Sequence, residues 1–467
     1  MKFINNSDNT VYLADIDKYV SPNDRKPQEI TLDETKKSSL FRAYLRLKKF
    51  IITECGDSLF ERNLLRLQND LVLKAGSDTH HEEKTFPDPS GDLEIMFRGT
   101  FFDAGGYSKT NRNLVMGLAR NKVKIGIYPD STSHNNLNEL EMRKMSSLTR
   151  QYSKNAIYIQ SVIPSFAIPS KDYKYNILYT TLESSSMPQQ FVDSINAFDE
   201  IWTTSEFCKN VILNHCPSKK VIVIPNSIDV SLYNDKWEPS IFNPTLKGFT
   251  FVSVFTWNYR KGYDALLRAY LEEFDANDPV SLLLITRPMT SSVSDYNMIQ
   301  KEIIEFQNKY GGEKAAHIAR CSNVIAEYRM PRIYKACKAF VSFSRGEGFG
   351  LPYIEASMSG IPVIATNYSG QTMFLNYSNS VLVDVDSLKK SDGKTNIHYW
   401  DGQYFPDLTS EAFNSDARKA LRYVYENYTE VSAKNLRLRK HISENYKIDV
   451  VAGLALRRLN DIWRKLW

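Results

Sequence analysis

Between Phe343 and Gly370 the chain reads FSRGEGFGLPYIEASMSGIPVIATNYSG. Gly346, Gly348 and Gly350 alternate with Glu347 and Phe349, and Pro352 follows where the first turn of a helix would start. A proline is harmless there, because its missing N–H would be unpaired in any case. Glu347 lies in the loop and Glu355 one turn into the helix, eight positions later. Backbone amides around Phe349, Gly350 and Leu351 would point out of the helix N-terminus, a ready site for an anion such as a diphosphate. A carboxylate at Glu355 can accept hydrogen bonds from vicinal ribose hydroxyls, and one at Glu347 from sugar hydroxyls. The opposing reading is a tight turn followed by solvated acidic residues at a helix start. Two carboxylates, three glycines and a proline in one strand–loop–helix frame favour the binding site.

Such a loop needs a strand to deliver it and a helix to carry Glu355. From Leu93 the sequence reads as strand–loop–helix units. Residues 94–97 read as a strand, 99–108 as a loop, 111–120 as a helix and 123–128 as the next strand, with further strands at 156–159, 176–180, 201–203 and 221–224. Residues 237–248, WEPSIFNPTLKG, carry two prolines and break the pattern. A second series follows, with strands at 249–255, 281–286, 339–344 and 361–365 and helical stretches such as 263–274. Strands alternating with helices imply parallel sheets in doubly wound domains. Two such series suggest an α/β chain with a cleft between two domains, and ligands in such sheets bind at the carboxyl ends of strands, where the glycine-rich loop falls.

The rest of the chain bounds the function. The 467 residues are 42% hydrophobic and 24% charged, an ordinary globular composition, and the net charge of +5 does not by itself imply nucleic acid or an anionic membrane. No stretch approaches 18 consecutive apolar residues, and the start lacks the basic and apolar runs of a signal peptide. Cys55, Cys208, Cys216, Cys321 and Cys337 are scattered without CxxC spacing, which argues against a zinc site or a disulfide framework and fits a reducing, cytoplasmic setting. Residues 1–73 read as a small accessory β/α module with a basic helical stretch at 36–49, and residues 74–91 as a linker. The tail, helical from residue 415, places Leu456, Leu459, Trp463 and Leu466 on one face, with Arg457, Arg458, Arg464 and Lys465 elsewhere. Residues 421–467 are expected to pack back on the body, with peripheral membrane contact as the alternative.

The stretch 343–370 resembles the E-x7-E signature of the retaining glycosyltransferases of family 4. Other stretches are similar to that family's motifs. Trp257-Asn258-Tyr259-Arg260-Lys261-Gly262 resembles its RKG motif, and Trp202 to Phe207, WTTSEF, its "wvpSeF" step. Val223-Ile224-Pro225-Asn226-Ser227-Ile228-Asp229 resembles "VIPNGVD", and Gly105-Gly106-Tyr107-Ser108 the N-terminal "GGxGR" loop. The resemblance covers roughly residues 93–450. It implies the GT-B fold: two Rossmann-like domains facing a cleft, an acceptor domain at 92–236 and a nucleotide-sugar donor domain at 248–420. It also implies roles. Arg260 and Lys261 would bind the donor diphosphate and stabilise the departing phosphate. Glu355 would hold the ribose and Glu347 the transferred sugar, with Gly348, Phe349, Gly350 and Leu351 at the donor. Gly105 and Gly106 would admit a phosphate or the acceptor to the backbone, a structural βα turn being the alternative.

The chain departs from the family at three places. The arginine that many members carry shortly before RKG is absent from Ser253-Val254-Phe255-Thr256, and Ser227 replaces the glycine of "NGVD". Where many members carry a histidine, this chain has Tyr179-Thr180-Thr181-Leu182-Glu183. A subset of the family has a glutamate there, which makes Glu183 a candidate near the acceptor or sugar, with a buried polar anchor as the alternative.

The expected activity is transfer of a sugar from a nucleotide-sugar donor, such as a UDP- or GDP-sugar, to an acceptor hydroxyl with retention of configuration. Fixed cations can do the work of a metal at the leaving phosphate, so neither metal nor cofactor is expected. The D-x-D triplets Asp15-Ile16-Asp17 and Asp384-Val385-Asp386 lack the context of a metal-dependent enzyme, and His80-His81-Glu82-Glu83 reads as a solvated run. A glycan or lipid-linked intermediate is the default acceptor, with protein or nucleic acid as alternatives. Rival readings are a GT-B epimerase or phosphorylase and a non-catalytic nucleotide-sugar-binding protein.

Overall fold

The computed structural model describes the backbone strands of residues 1–54 and residues 93–130, 139–149, 156–233, 238–240, 246–289, 292–391 and 400–466. The chain forms two compact units, Met1–Pro87 and Asp88–Trp467. In the first, strands β1 (Lys2–Asn5), β4 (Gln28–Glu29) and β5 (Phe50–Glu54) make an antiparallel sheet in the order β4-β1-β5. Strands β2 (Val11–Leu13) and β3 (Lys18–Val20) pair as a hairpin. The basic stretch 36–49 and the linker 74–91 lie outside the described residues.

The second unit holds two six-stranded parallel sheets. The first contains β6 (Glu94–Gly99), β7 (Lys124–Pro129), β8 (Ile157–Ser161), β9 (Tyr175–Thr180), β10 (Glu200–Thr203) and β11 (Val221–Val223), in the order β11-β10-β9-β8-β6-β7. Its helices are α1 (Gly106–Arg120), α2 (Glu139–Ser147), α3 (Gln189–Asn196) and α4 (Glu206–His215). The second sheet contains β12 (Phe249–Thr256), β13 (Val280–Arg287), β14 (His317–Cys321), β15 (Ala339–Ser342), β16 (Val363–Thr366) and β17 (Val381–Val383). Its order is β14-β13-β12-β15-β16-β17. Helices α5 (Tyr263–Glu273), α6 (Val293–Phe306), α7 (Met330–Lys335) and α8 (Leu351–Met358) connect it.

Central strands covered on both faces read as continuous apolar runs. β13, VSLLLITR, is buried along all but its last residue. In each sheet the strand order reverses once, between β6 and β8 and between β12 and β15. A crevice opens at such a reversal, so the loops leaving β6, β12 and β15 are where a ligand belongs.

A hairpin of β18 (Leu388–Lys390) and β19 (Tyr404–Pro406) follows, then α9 (Glu411–Glu426), α10 (Tyr428–Asn445) and α11 (Ile448–Leu466). Ser410 caps α9 by accepting from the Phe413 N–H at 3.1 Å. The last helix crosses back to the first sheet. Leu456, Leu459 and Ile462 are buried in that sheet's core, with Trp463 and Leu466 packed against it. A Cβ on Gly117 of α1 would stand 2.5 Å from that of Ala452, so glycine is what lets α1 and α11 approach. The apolar face of the tail therefore lies on protein rather than open to a membrane. Among the described residues, no helix is long and apolar enough to cross a membrane.

Some boundaries differ from the sequence expectation. α1 starts at Gly106, ahead of residue 111, because Gly105 already occupies its cap position. β15 stops at Ser342, two residues early. α9 begins at Glu411, ahead of residue 415. β14, HIARC, was not anticipated: it is an edge strand with one buried residue, so its pattern is polar.

Candidate active site

β12 hands over to a short turn, Tyr259–Lys261, closed by Gly262 at φ 65° and ψ 29°. A Cβ at Gly262 would stand 1.7 Å from the Phe343 carbonyl oxygen. Glycine is thus required both for the left-handed conformation and for the approach of the next loop. The turn delivers two cations. Lys261 Nζ lies 2.6 Å from Glu347 Oε1. Arg260 Nη2 lies 2.9 Å from Glu183 Oε1, and its Nη1 lies 3.5 Å from Glu347 Oε2 and donates to the Gly346 carbonyl. Trp400 stacks on the guanidinium, 4.9 Å from its centre.

A third cation holds this turn in place. Arg345 is almost fully buried and grips Asp264 with two bonds of 2.6 and 2.7 Å. It also donates to the Tyr259 carbonyl at 2.7 Å and lies over the Tyr259 ring. The rigid guanidinium fork suits such a two-pronged grip.

The loop 343–350 then crosses the crevice. The Glu347 N–H donates to Ser369 Oγ at 2.9 Å, and the Gly370 N–H to the Glu347 carbonyl at 2.9 Å. The alternating glycines have a cause that the sequence did not show. A Cβ at Gly346 would stand 1.7 Å from the Glu183 carbonyl oxygen, and one at Gly348 would stand 1.5 Å from Thr181 Oγ1. Thr204 Oγ1 also donates to the Gly348 carbonyl at 2.9 Å. The first domain thus lies directly against this loop. Gly350, at φ 102°, turns the chain into α8. Phe349 faces inward, its ring against Phe374 and Tyr446.

Glu355 on α8 is engaged from two sides. Its Oε1 accepts from Lys109 Nζ at 2.7 Å and its Oε2 from the Tyr334 hydroxyl at 3.2 Å. Lys109 also pairs with Glu327 at 2.7 Å, and Glu327 with Arg112 at 3.0 Å. Gly105 caps α1; Asp103 accepts from the Gly105 N–H and the Ser108 hydroxyl, each at 2.6 Å. A Cβ on Gly106 would meet Leu351 at 3.9 Å, so the N-termini of α1 and α8 face each other. Both present amide N–H groups and positive helix ends to the space between them.

Burial and charge tune these groups in opposite directions. Burial opposes ionisation of Glu347, but Lys261 and Arg260 outweigh it and hold its carboxyl below the usual value. Burial pushes the Glu183 carboxyl up, against the pull of Arg260 and Lys261. Burial, aided by Arg260, holds the Lys261 ammonium below its ordinary value. Burial would lower Lys109 too, but Glu327 and Glu355 raise it well above the ordinary value.

All the residues singled out in the sequence line one cavity of about 550 Å³ between the domains: Glu347, Lys261, Arg260 and Glu183, the 348–351 stretch with Glu355, and Gly105 with Gly106. The sequence reading missed Lys109, Arg112, Glu327, Tyr334 and Trp400. Lys109 and Arg112 are one helical turn apart after the glycine pair, the one signal that pointed to them. Asp384 of the second D-x-D triplet instead accepts from Tyr377 and from Asn367 Nδ2 at 2.8 Å. The other triplet and His80-His81-Glu82-Glu83 lie outside the residues whose side chains are described.

Solved structures share this architecture. Anabaena Alr3699/HepE in complex with UDP-glucose is 12% identical, with a TM-score of 0.55 over 79% of this chain and 100% of that one. The structure described as trehalose-6-phosphate from E. coli bound with UDP-2-fluoro glucose is 9% identical, with a TM-score of 0.56 over 79% of this chain and 99% of that one. The apo structure of OtsA is 9% identical, with a TM-score of 0.54 over 79% and 99% of the two chains.

The fold is GT-B.

Residues 247–391 match the family model described as glycosyl transferases group 1, a segment that contains Arg260, Lys261, Glu347 and Glu355. No curated protein matches the chain in sequence. The family match and the fold together support a glycosyltransferase.

Proposed function

We propose that this GT-B protein transfers a sugar from a nucleotide-sugar donor to an acceptor hydroxyl, retaining the anomeric configuration and using no metal. The observation that carries the reading is the convergence of Arg260, Lys261 and two helix N-termini on one cavity that also holds Glu347 and Glu355. Solved neighbours of the same fold hold UDP-glucose and UDP-2-fluoro glucose, which makes UDP the first donor base to test.

In this reading the ribose lies on Glu355 and the diphosphate at Arg260, Lys261 and the start of α8, with Glu347 turned to the sugar hydroxyls. The bond between the anomeric carbon and the phosphate oxygen breaks, leaving an oxocarbenium-like sugar. Charge gathers on the phosphate, where fixed cations and amides are most effective in a site closed to water. The acceptor hydroxyl enters on the same face, forms the new bond and gives its proton to the departing phosphate oxygen. Glu183, from the first domain, pairs with Arg260 at 2.9 Å, and in this reading it serves the acceptor or the sugar. A glycan or lipid-linked intermediate remains the acceptor class to test first. The free thiols Cys208, Cys216, Cys321 and Cys337 support a cytoplasmic setting.

The test is a thermal-shift panel of UDP, GDP, ADP, CMP and their common sugar conjugates, with and without EDTA, followed by NMR of the product anomer. A ligand that binds only the native state raises the midpoint. A shift from one nucleotide family, unaffected by EDTA and lost in Glu355→Ala, is expected. An inverted product anomer would refute retention, loss of the shift with EDTA would refute metal independence, and no shift at all would refute the donor site.

A further inference from the structure

The carboxylate assigned to the ribose is held in place by the opposite domain. Two bonds engage Glu355, one on each oxygen: Lys109 at 2.7 Å and Tyr334 at 3.2 Å. A carboxylate offers about four lone-pair sites, so each oxygen keeps one for a further donor. Two donors are what a vicinal diol supplies. Tyr334 belongs to α7 of the second-sheet domain, whereas Lys109 belongs to α1 of the first.

Lys109 has little freedom to do otherwise. Its side chain is nearly buried, and its ammonium lies between Glu355 and Glu327, each at 2.7 Å. Glu327 is itself gripped by Arg112, which also donates to the carbonyls of Phe101 at 2.8 Å and Asp103 at 3.0 Å. The loop that starts α1 therefore fixes Arg112, Arg112 and Lys109 share Glu327, and Lys109 alone of the two cations reaches on to Glu355.

We propose that Lys109 is a positioning residue of the donor site, which sets the Glu355 carboxylate for the ribose hydroxyls only when the two domains are together. This rests on the reading of Glu355 as the ribose carboxylate. It makes ribose recognition a property of the closed molecule. When the domains part, Glu355 keeps Tyr334 and loses the cation that orients its other oxygen. The competing role is a plain brace between domains, which would affect every nucleotide alike.

Calorimetric affinities for UDP and 2′,3′-dideoxy-UDP separate the two roles, with the GDP pair used if GDP is the base that binds. Wild type is expected to prefer the ribose form by about tenfold or more, because bonds to a charged acceptor are among the stronger ones. In Lys109→Met that preference should shrink toward one, chiefly through weaker UDP binding, and Lys109→Arg should recover part of it. Should Lys109→Met fail to fold, Lys109→Met/Glu327→Leu removes one buried charge of each sign, leaving Arg112 and Glu355 to balance each other, and is read in the same way. Equal losses for both ligands, with the preference intact, would make Lys109 a brace and overturn the inference. Wild type with no preference for the ribose form overturns it as well. Wild type that binds none of UDP, GDP, ADP and CMP defeats the nucleotide reading itself, and that result is visible before any variant is made.

Discussion

The interlock between the glycine-rich loop and the first domain can be tested by one methyl group. In Gly348→Ala the new Cβ would stand 1.5 Å from Thr181 Oγ1, 2.8 Å from Thr181 Cβ and 3.1 Å from Thr181 Cγ2. Ordinary carbon contacts lie at about 3.5–4 Å, so a hydroxyl rotation alone does not clear the space. The 346–348 loop and the 181–183 loop must separate by about 2 Å, which also strains the 2.9 Å bond from Thr204 to the Gly348 carbonyl. Overpacking of this kind costs about 1–3 kcal/mol. A misplacement of about 1 Å near the reacting atoms can cost about a hundredfold in rate. We therefore expect Gly348→Ala to fold, to melt somewhat lower, and to lose about a hundredfold in donor turnover. The double variant Gly348→Ala/Thr181→Gly removes the opposing side chain and should regain at least tenfold, read as a double-mutant cycle in kcat/KM. Gly346→Ala meets a backbone oxygen at 1.7 Å, so no side-chain change should rescue it. Wild-type turnover in Gly348→Ala, or a double variant no better than the single one, would refute the claim that the glycines serve the domain contact.

Three further outcomes are expected. Lys261→Ala should lower donor turnover by about 10²–10³, the usual loss for one group that stabilises developing charge, with a far smaller change in melting temperature; turnover within tenfold of wild type would remove Lys261 from the chemistry. Glu347 and Glu327 both have depressed carboxyls, so the stability they add is present above the ordinary glutamate range and is lost as pH falls through their folded values. Melting curves from pH 7 down to about pH 3 should therefore fall less steeply in Glu327→Gln than in wild type below the ordinary glutamate range, and parallel curves there would count against that assignment. Arg345→Lys keeps the charge but loses the two-pronged grip on Asp264; urea unfolding should show a loss of about 1.5–3 kcal/mol, the range of a hydrogen bond to a charged group, and a loss below about 0.5 kcal/mol, the range of an ordinary surface change, would show that the clamp is dispensable.

The fold was readable to the extent that burial leaves an apolar trace. β12 and β13 are central strands and were visible as long apolar runs. β14 lies at the edge with a half-exposed face, and its five residues gave no such trace. The start of α1 was masked because its first turn carries Ser108 and Lys109, polar residues that are buried at the domain interface rather than solvated. A polar residue reads as surface until a partner across the cleft is known.

The site divides in the same way. Glu347 and Glu355 are fixed relative to each other by a loop and one helical turn, and Arg260, Lys261 and Gly262 by a single turn, so chain spacing alone could indicate their purpose. Geometry of that range is local, set by backbone sterics and helix periodicity. Lys109 and Glu355 are separated by 246 positions, and Arg260 and Glu347 by 87. Their meeting depends on where two sheets reverse strand order and on how closely the domains dock. The sequence by itself determined two doubly wound sheets, the anion-seeking loop and its pair of carboxylates. Only the tertiary structure decided that Glu183 meets Arg260, that Lys109 holds Glu355, and that Gly346 and Gly348 are small to make room for the other domain. Non-local contacts arise from packing that no short window encodes.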